Sequence, residues 1–424
     1  MMLANTDKLT IVMTTDKNYI VPTKVAIYSM LSSTPEAFLE IHVLCNENLD
    51  EDSRKVLCQV ESSWDSRLKI YFDEVTDDVL SNAKTLGHIP VASYYRLYIT
   101  RLLSGSRCLF LDGDIIVNTD LREIWRTDLD DYYIAAVRDC AVQSKNEAFA
   151  ERELELEIPD MHQYVNAGVM LFNLDKIRED KLDEQLVEAI GRGYRYMDQD
   201  ILNKFCYGRI KHLPLRFNLF AEFYERMEKM GSTDYTDDEL CDVENWGILH
   251  YPGSYKPWVC SRLKANQIWW KVAKNVLTAE EYECWYTRAL EQEKVSDWSY
   301  IMQHVEVADR VVVFGYSEIG RKVVAQLKVS KMDKPVVFAD NDVNKQGIVF
   351  EGMKVLSAMD AVSQNGSALW IVSSQLSYVA ITKQLIELGI PAEHIVRYVF
   401  KTEAYYEGLD EANYKYEMKI LESN

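Results

Sequence analysis

No stretch of this chain approaches the roughly 18 consecutive apolar residues that a membrane-spanning helix requires. Nor does its amino terminus carry the basic region, apolar core and small-residue cleavage site of a secretory leader. The expectation is a cytoplasmic protein. Cysteine is scarce and scattered, at positions 45, 58, 108, 140, 206, 241, 260 and 284, with no Cys-x-x-Cys pair. That spacing argues against a zinc site and a disulfide framework, and leaves reduced, mostly buried thiols. Basic charge is also in short supply. Lys and Arg number 47 against 67 Asp and Glu, for a net charge of -20, which argues against nucleic acid or an anionic membrane as a partner by bulk electrostatics.

What is present is an ordinary globular balance, 48% hydrophobic and 27% charged, over 424 residues. A chain of that length fits two domains, or one large domain with an appendage. The organising stretch is Leu109-Phe110-Leu111-Asp112-Gly113-Asp114-Ile115-Ile116-Val117. Two apolar runs, each long enough for a buried strand, flank two carboxylates separated by a glycine that lets the backbone turn and approach a ligand. Asp112 and Asp114 offer hard oxygen ligands for Mg²⁺ or Mn²⁺ that leave coordination positions for phosphate oxygens. An acidic Asp-Gly turn is more commonly just a solvated turn, so the motif needs support from elsewhere in the chain. A calcium loop starting at Asp112 fails, because Ile116 stands where an oxygen ligand is needed and Val117 where glycine is required.

Taken in order, Leu9–Thr14 reads as a strand, Thr15–Tyr19 as a polar loop, and Val21–Ser33 as a helix with Pro22 in its first turn. Strand, helix, strand follow at Leu39–Cys45, Asp50–Val60 and Leu68–Phe72, the alternation of a parallel α/β sheet with ligands beyond its carboxyl edge. Asp16 and Asn18 sit at such an edge, where helix capping is the competing role. Ser93–Ile99 reads as an aromatic helix whose Arg96 either reaches a phosphate or ribose or snorkels at a core edge. Residues 144–163 read as a charged loop. Tyr164–Leu174 is a buried strand opening on Asn166-Ala167-Gly168, an amide beside bare backbone that suits a sugar hydroxyl. Tyr196–Asn203 starts a helix with acidic residues at its amino end, and His250 follows a short apolar segment with Lys256 six residues on.

The combination, more than any one motif, resembles the family 8 retaining glycosyltransferases, which include bacterial lipopolysaccharide galactosyl- and glucosyltransferases and the glycogenins. The motifs are Asp-x-Asn-Tyr, Tyr-x-Arg-Leu, Phe-Leu-Asp-x-Asp, Asn-Ala-Gly-Val, Asp-Gln-Asp-Ile-Leu-Asn and His-Tyr-x-Gly-x-x-Lys-Pro-Trp, in the family's order from Thr10 to Trp258. The resemblance implies a GT-A type nucleotide-sugar-binding fold with a mixed central sheet. It implies Mn²⁺ (or Mg²⁺) held by Asp112, Asp114 and His250. Asp16 and Asn18 resemble uracil and ribose contacts, Tyr19 the ring against the base, and Thr14 and Thr15 adjoining main-chain contacts. Arg96, Asn166, Gly168, Asp198 and Gln199 would surround the transferred sugar, Gly113 would lie in the metal turn, and Gly253 and Lys256 would hold the diphosphate. Gln199 falls nearest the sugar's far face, and an amide is a poor nucleophile, so front-face transfer with retention is favoured; a covalent route through Asp198 is the alternative.

The implied partners are a UDP-sugar donor, with glucose and galactose both open, and a glycan, lipid-linked or protein acceptor. Homo-oligomer formation and peripheral attachment at the inner face of the membrane stay open. Residues 266–294 carry Trp269, Trp270 and Trp285 amid mixed charge, which suits packing better than a basic membrane anchor. The expected division is a glycosyltransferase domain at 1–275, a helical linker at 276–305 and a Rossmann-like accessory domain at 306–424. In the last, Val311–Phe314, Gly315–Gly320 and Asp340 have the spacing of a dinucleotide fold, but Ser317 replaces the glycine that admits pyrophosphate. Two competing functions are therefore a nucleotide-sugar-binding protein without transferase activity and, ranked lower, an NAD-dependent oxidoreductase.

Overall fold

The structure is a computed structural model. It describes residues 7–398 apart from 47–48, 65, 77–79, 81–82, 84–90, 144–148, 227–234, 242, 254–255, 262, 296–297, 331–333 and 375–376. The chain divides into two compact units, Met1–Pro252 with Ile268–Ala279, and Gly253–Gln267 with Glu280–Asn424.

The strands of the first unit are β1 (Asp7–Thr14), β2 (Ala37–Cys45), β3 (Leu68–Glu74), β4 (Arg107–Leu111), β5 (Ile115–Val117), β6 (Ile134–Arg138), β7 (Val165–Asn173), β8 (Ile210–His212), β9 (Leu219–Phe220) and β10 (Ile248–His250). Among the described residues they form a seven-stranded sheet in the order β3-β2-β1-β4-β7-β6-β8 and a small sheet in the order β5-β10-β9. β3, β2, β1 and β4 run parallel, whereas β7 is antiparallel to both β4 and β6, so the sheet is mixed. Every residue of β7 from Val165 to Phe172 is buried, as expected of a strand covered on both faces. The helix Ile20–Ser33 is buried along most of its length and carries Pro22 in its first turn, where a missing N–H costs nothing. The helix Glu51–Ser63 turns only Leu57 and Val60 to the core and is capped by Asp50, which accepts from the Ser53 N–H at 2.8 Å.

Two segments differ from the sequence expectation. Val91–Tyr98 is a 3₁₀ helix followed by one α-turn, Ile99–Leu102. The expected charged loop at 144–163 contains a helix, Phe149–Leu156, and a short 3₁₀ turn, Met161–Gln163; residues 144–148 lie outside the described set. The helix forms because Phe149, Arg152 and Leu156 fall on one face and are buried, a stripe masked in the sequence by the surrounding glutamates.

In the second unit β11 (Val311–Phe314), β12 (Val336–Ala339), β13 (Val349–Phe350), β14 (Met353–Leu356), β15 (Leu369–Val372) and β16 (Ile395–Arg397) form a sheet in the order β13-β14-β12-β11-β15-β16. All its pairs are parallel except the β13–β14 hairpin. Trp298, Ile301, Met302 and Val305, from the helix Trp298–Val307, share a core with Val311, Val313, Phe338 and Ile371. Trp269 and Trp270 are buried with their rings edge to face. All eight cysteines are free thiols, five of them buried. Among the described residues no helix is long and apolar enough to cross a membrane.

The turn after β11 is built on backbone contact. A Cβ on Gly320 would sit 2.0 Å from the Gly315 carbonyl oxygen. Gly320→Ala is therefore expected to destabilise the second unit by about 1–3 kcal/mol through overpacking, read as an earlier unfolding transition of the full chain; an unchanged transition would contradict it.

Candidate active site

Between β4 and β5 the chain turns through Asp112-Gly113-Asp114. β10 pairs antiparallel with β5, so that His250 stands opposite Ile115, and the Tyr251 N–H donates to the Asp114 carbonyl at 2.9 Å. This register brings His250 Nε2 to 3.4 Å from Asp114 Oδ1 and 3.6 Å from Asp112 Oδ2. One ligand atom from each of the three residues lies within 4.8 Å of the others. Two carboxylate oxygens and an imidazole nitrogen are a donor set suited to a divalent cation of the Mn²⁺ or Mg²⁺ type.

Two glycines make the convergence sterically feasible. A Cβ on Gly113 would meet Thr23 Oγ1 at 2.8 Å. One on Gly168 would meet His250 Cε1 at 2.3 Å and Asp112 Oδ2 at 2.8 Å. The Gly168 carbonyl also accepts the Asp112 N–H at 2.8 Å, which ties the metal turn to the start of β7.

From the triad a chain of amides runs inward. Asn218 Oδ1 lies 2.9 Å from His250 Nδ1, and Asn218 Nδ2 donates to Asn166 Oδ1 at 2.8 Å. Asn166 Nδ2 donates to Gln199 Oε1 at 2.9 Å and to Asp139 Oδ2 at 3.1 Å. Gln199 Nε2 donates to Asp139 Oδ2 at 3.1 Å and to the Tyr164 hydroxyl at 3.3 Å. That hydroxyl in turn donates to Asp200 Oδ1 at 2.6 Å, where Arg152 Nη2 also donates, again at 2.6 Å. Burial and the Asp200 charge hold the Tyr164 phenol well above its ordinary range, so it remains a donor. Asp139 has its second oxygen occupied as well, accepting from the Ala141 and Val142 N–H groups at 2.9 and 3.0 Å.

Arg96 is a buried bridge and not a snorkelling residue at a core edge. It donates to Asp112 Oδ1 at 2.9 Å, pairs with Asp198 Oδ2 at 3.1 Å, donates to the Ala167 carbonyl, and lies over the Phe110 ring. Burial opposes its charge, and the neighbouring Asp112 and Asp198 more than offset that, raising its pKa. Asp198 is pushed up to about 6 by burial, against the pull of Arg96. It follows Met197, whose φ of 52° is in the left-handed region and is strained for a side-chain-bearing residue. The neighbouring Tyr196 N–H is held by Asp200 Oδ2 at 2.7 Å.

At the carboxyl end of β1, Thr14 closes the strand and the Thr15 hydroxyl shares a 2.9 Å hydrogen bond with Thr23. Asp16 Oδ1 accepts from the N–H groups of Asn18 at 2.7 Å and Tyr19 at 3.2 Å. Asp16 therefore shapes the loop, while Tyr19 occupies the helix-cap position without a side-chain cap bond. Asn18 is exposed and Tyr19 half-buried. Gly253 and Lys256 belong to the second unit, where the Lys256 carbonyl accepts from the Val259 and Cys260 N–H groups at 2.8 and 3.0 Å. Ser254 and Tyr255 lie outside the described residues.

Sequence reasoning missed Asn218 and Arg152, read Asp200 and Asn203 only as members of the Asp-Gln-Asp-Ile-Leu-Asn motif, and assigned no part to Tyr164. Asn203 pairs with both the N–H and the carbonyl of Val165, at 2.7 and 2.8 Å, docking its helix on β7. The one available signal for Asn218 was a polar amide within the mostly apolar run Leu215–Phe220.

Comparison with known proteins places the chain in a family. The family model for glycosyl transferase family 8 matches residues 10–260. A second model, C2185-like, N-terminal, matches residues 307–396. A putative glycosyltransferase of Haemophilus influenzae is 28% identical over 265 residues, covering 61% of this chain and 76% of the relative. A lipopolysaccharide 1,2-glucosyltransferase of Escherichia coli is 29% identical over 255 residues, covering 57% and 71%. Among solved structures, the galactosyltransferase LgtC in complex with donor and acceptor sugar analogs is similar at a TM-score of 0.55 and 28% identity, covering 65% of this chain and 99% of that one. The WbbM bifunctional glycosyltransferase shares the fold at a TM-score of 0.58 and 23% identity, covering 68% and 52%. The chain belongs to glycosyl transferase family 8 and is a retaining hexosyltransferase with a GT-A type fold. A nucleotide-sugar donor and a glycan acceptor follow from that membership.

Gly168→Ala tests the steric part of this site. Because the new methyl would strike two of the three candidate ligands, divalent metal affinity is expected to fall at least about tenfold while the fold persists. Titration of Mn²⁺ by electron paramagnetic resonance measures it, and wild-type affinity in the folded variant would contradict it.

Proposed function

We propose that the protein transfers glucose or galactose from a UDP-sugar to a bacterial glycan, lipid-linked or protein acceptor, with retention of configuration, and that Asp112, Asp114 and His250 hold Mn²⁺ (or Mg²⁺). The convergence of those three side chains within 4.8 Å carries the proposal. The names of relatives support the donor: they include lipopolysaccharide 1,2-glucosyltransferase and lipopolysaccharide 1,3-galactosyltransferase, of Escherichia coli and Salmonella typhimurium respectively. The cation would supply charge neutralisation of the departing diphosphate. Thr14, Thr15, Asp16, Asn18 and Tyr19 would hold the nucleoside.

Arg96, Asn166, Gly168, Asp198 and Gln199 would enclose the hexose. Gln199 accepts two hydrogen bonds on Oε1 and donates two from Nε2. Such an amide is a fixed polar wall with no lone pair to spare for attack, which favours front-face transfer over a covalent intermediate. Asp198, the carboxylate for the alternative double displacement, is buried and paired with Arg96. The domain division proposed is catalysis in residues 1–275, a helical linker at 276–305 and an accessory Rossmann-like unit at 306–424, in a cytoplasmic protein.

Purified protein is expected to release UDP from UDP-glucose or UDP-galactose in Mn²⁺, and Asp114→Asn to reduce that release by two orders of magnitude or more through loss of a metal ligand. Equal turnover in variant and wild type would sink the metal assignment. UDP binding without hydrolysis or transfer over a broad acceptor panel would favour a binding protein instead. With an α-configured donor, NMR of the product should show an α-linkage; a β-linkage would overturn retention and the part given to Gln199.

A further inference from the structure

His250 faces the two carboxylates through Nε2, and the proton on its ring decides whether that nitrogen offers a lone pair. The ring itself has little freedom. Gly168 lies so close on one side that a Cβ there would come within 2.3 Å of Cε1, and the edge-to-face ring of Phe220 packs at 5.5 Å. What remains variable is the tautomer. The neighbouring carboxylates, at 3.4 and 3.6 Å from Nε2, would draw a proton to that nitrogen and so remove it as a ligand. The opposing influence is Asn218, buried and 2.9 Å from Nδ1.

Which end of the Asn218 amide meets the imidazole follows from groups that cannot turn round. The Gly168 main-chain N–H donates to Asn166 Oδ1 at 2.9 Å, so that atom is an oxygen. The Ala167 N–H donates to Gln199 Oε1 at 3.1 Å and fixes the next amide in the same way. Asn166 therefore presents oxygen to Asn218, which must answer with its NH₂ group, at 2.8 Å. Its carbonyl is left for His250, and a carbonyl only accepts. In the neutral imidazole Nδ1 must then carry the hydrogen, and Nε2 the lone pair.

We infer that Asn218 is a positioning residue that selects the Nδ1–H tautomer of His250 and thereby keeps Nε2 available as a metal donor. The orientation originates in the backbone of β7 and passes through Asn166 and Asn218 to the imidazole. The inference rests on the reading of Asp112, Asp114 and His250 as the Mn²⁺ site, and it adds a residue outside every motif that led to that site.

The test uses the full chain and Mn²⁺ alone, with no sugar and no turnover. Pulsed electron paramagnetic resonance detects the nitrogen coupling of a Mn²⁺-bound imidazole, and titration gives the affinity. Wild type is expected to show the coupling and His250→Ala to lack it. Asn218→Ala and the near-isosteric Asn218→Leu, which remove the acceptor, are expected to lose or weaken the coupling and to bind Mn²⁺ about 10–100-fold more weakly. Using both apolar variants allows whichever folds, by thermal denaturation, to be read. Wild-type coupling and affinity in a folded Asn218→Ala or Asn218→Leu would overturn the inference. Absence of nitrogen coupling in the wild type would instead remove His250 from the metal set, a failure of the underlying assignment distinguishable from the first.

Discussion

Two main-chain N–H groups, of Ala167 and Gly168, set the direction of the polar groups around the site. Each donates to a side-chain amide oxygen, that of Gln199 and Asn166 respectively. An amide whose oxygen is claimed by the backbone has only its NH₂ end to offer elsewhere, and the choice propagates through Asn218 to His250. Buried amides of this kind are costly when mismatched and rigid when satisfied. They can lie so close to the metal turn because β7 begins with small residues, and at Gly168 the space of a side chain is already filled by His250 and Asp112.

Charge is arranged with equal economy. Asp112, Asp114 and Asp198 cluster around one guanidinium, Arg96, which pairs with Asp112 and Asp198. Burial on that scale is tolerable only with partners, since desolvation of an isolated carboxylate is prohibitive. Asp112 gives one oxygen to Arg96 and turns the other toward His250, beside Asp114, a donor set suited to a divalent cation. Asp200, two residues from Asp198, is treated differently: Arg152, Tyr164 and the Tyr196 N–H donate to it, so it serves to hold the helix start and the hydroxyl that faces Gln199.

The strand and helix pattern of the first unit was legible because its signals are local. Apolar runs, Pro22 in a first turn and the Asp-Gly-Asp turn each state their conformation within a few residues. Asp112 and Asp114 were read as candidate metal ligands from their own motif, whereas His250 joined them only through resemblance, since Asp114 and His250 are separated by more than a hundred residues and meet through the β5–β10 pairing, which periodicity does not reveal. Asn218 had no local signature beyond its polarity. Arg96 could not be resolved between a ligand contact and an apolar edge because its partners, Asp112 and Asp198, come from two distant turns. The helix at Phe149–Leu156 was hidden for the opposite reason, a buried stripe diluted by abundant glutamate.

The second unit shows how far a motif carries without its surroundings. Gly315 and Gly320 have the spacing of a phosphate-binding turn, yet the atom Gly320 approaches is the Gly315 carbonyl, and Ser317 uses its hydroxyl to accept the Gly320 N–H at 3.3 Å. Asp340, spaced as a ribose-binding carboxylate, accepts instead from the Tyr316 and Asp342 N–H groups, both at 2.8 Å. Those bonds account for the strand-end geometry, and the spacing supports a Rossmann-like sheet. Gly168 in the first unit is the instructive contrast. There the close approach is made by an imidazole and a carboxylate, groups with ligand chemistry of their own, and the difference between a glycine that closes a turn and one that admits a site lies in the identity of the approaching atoms.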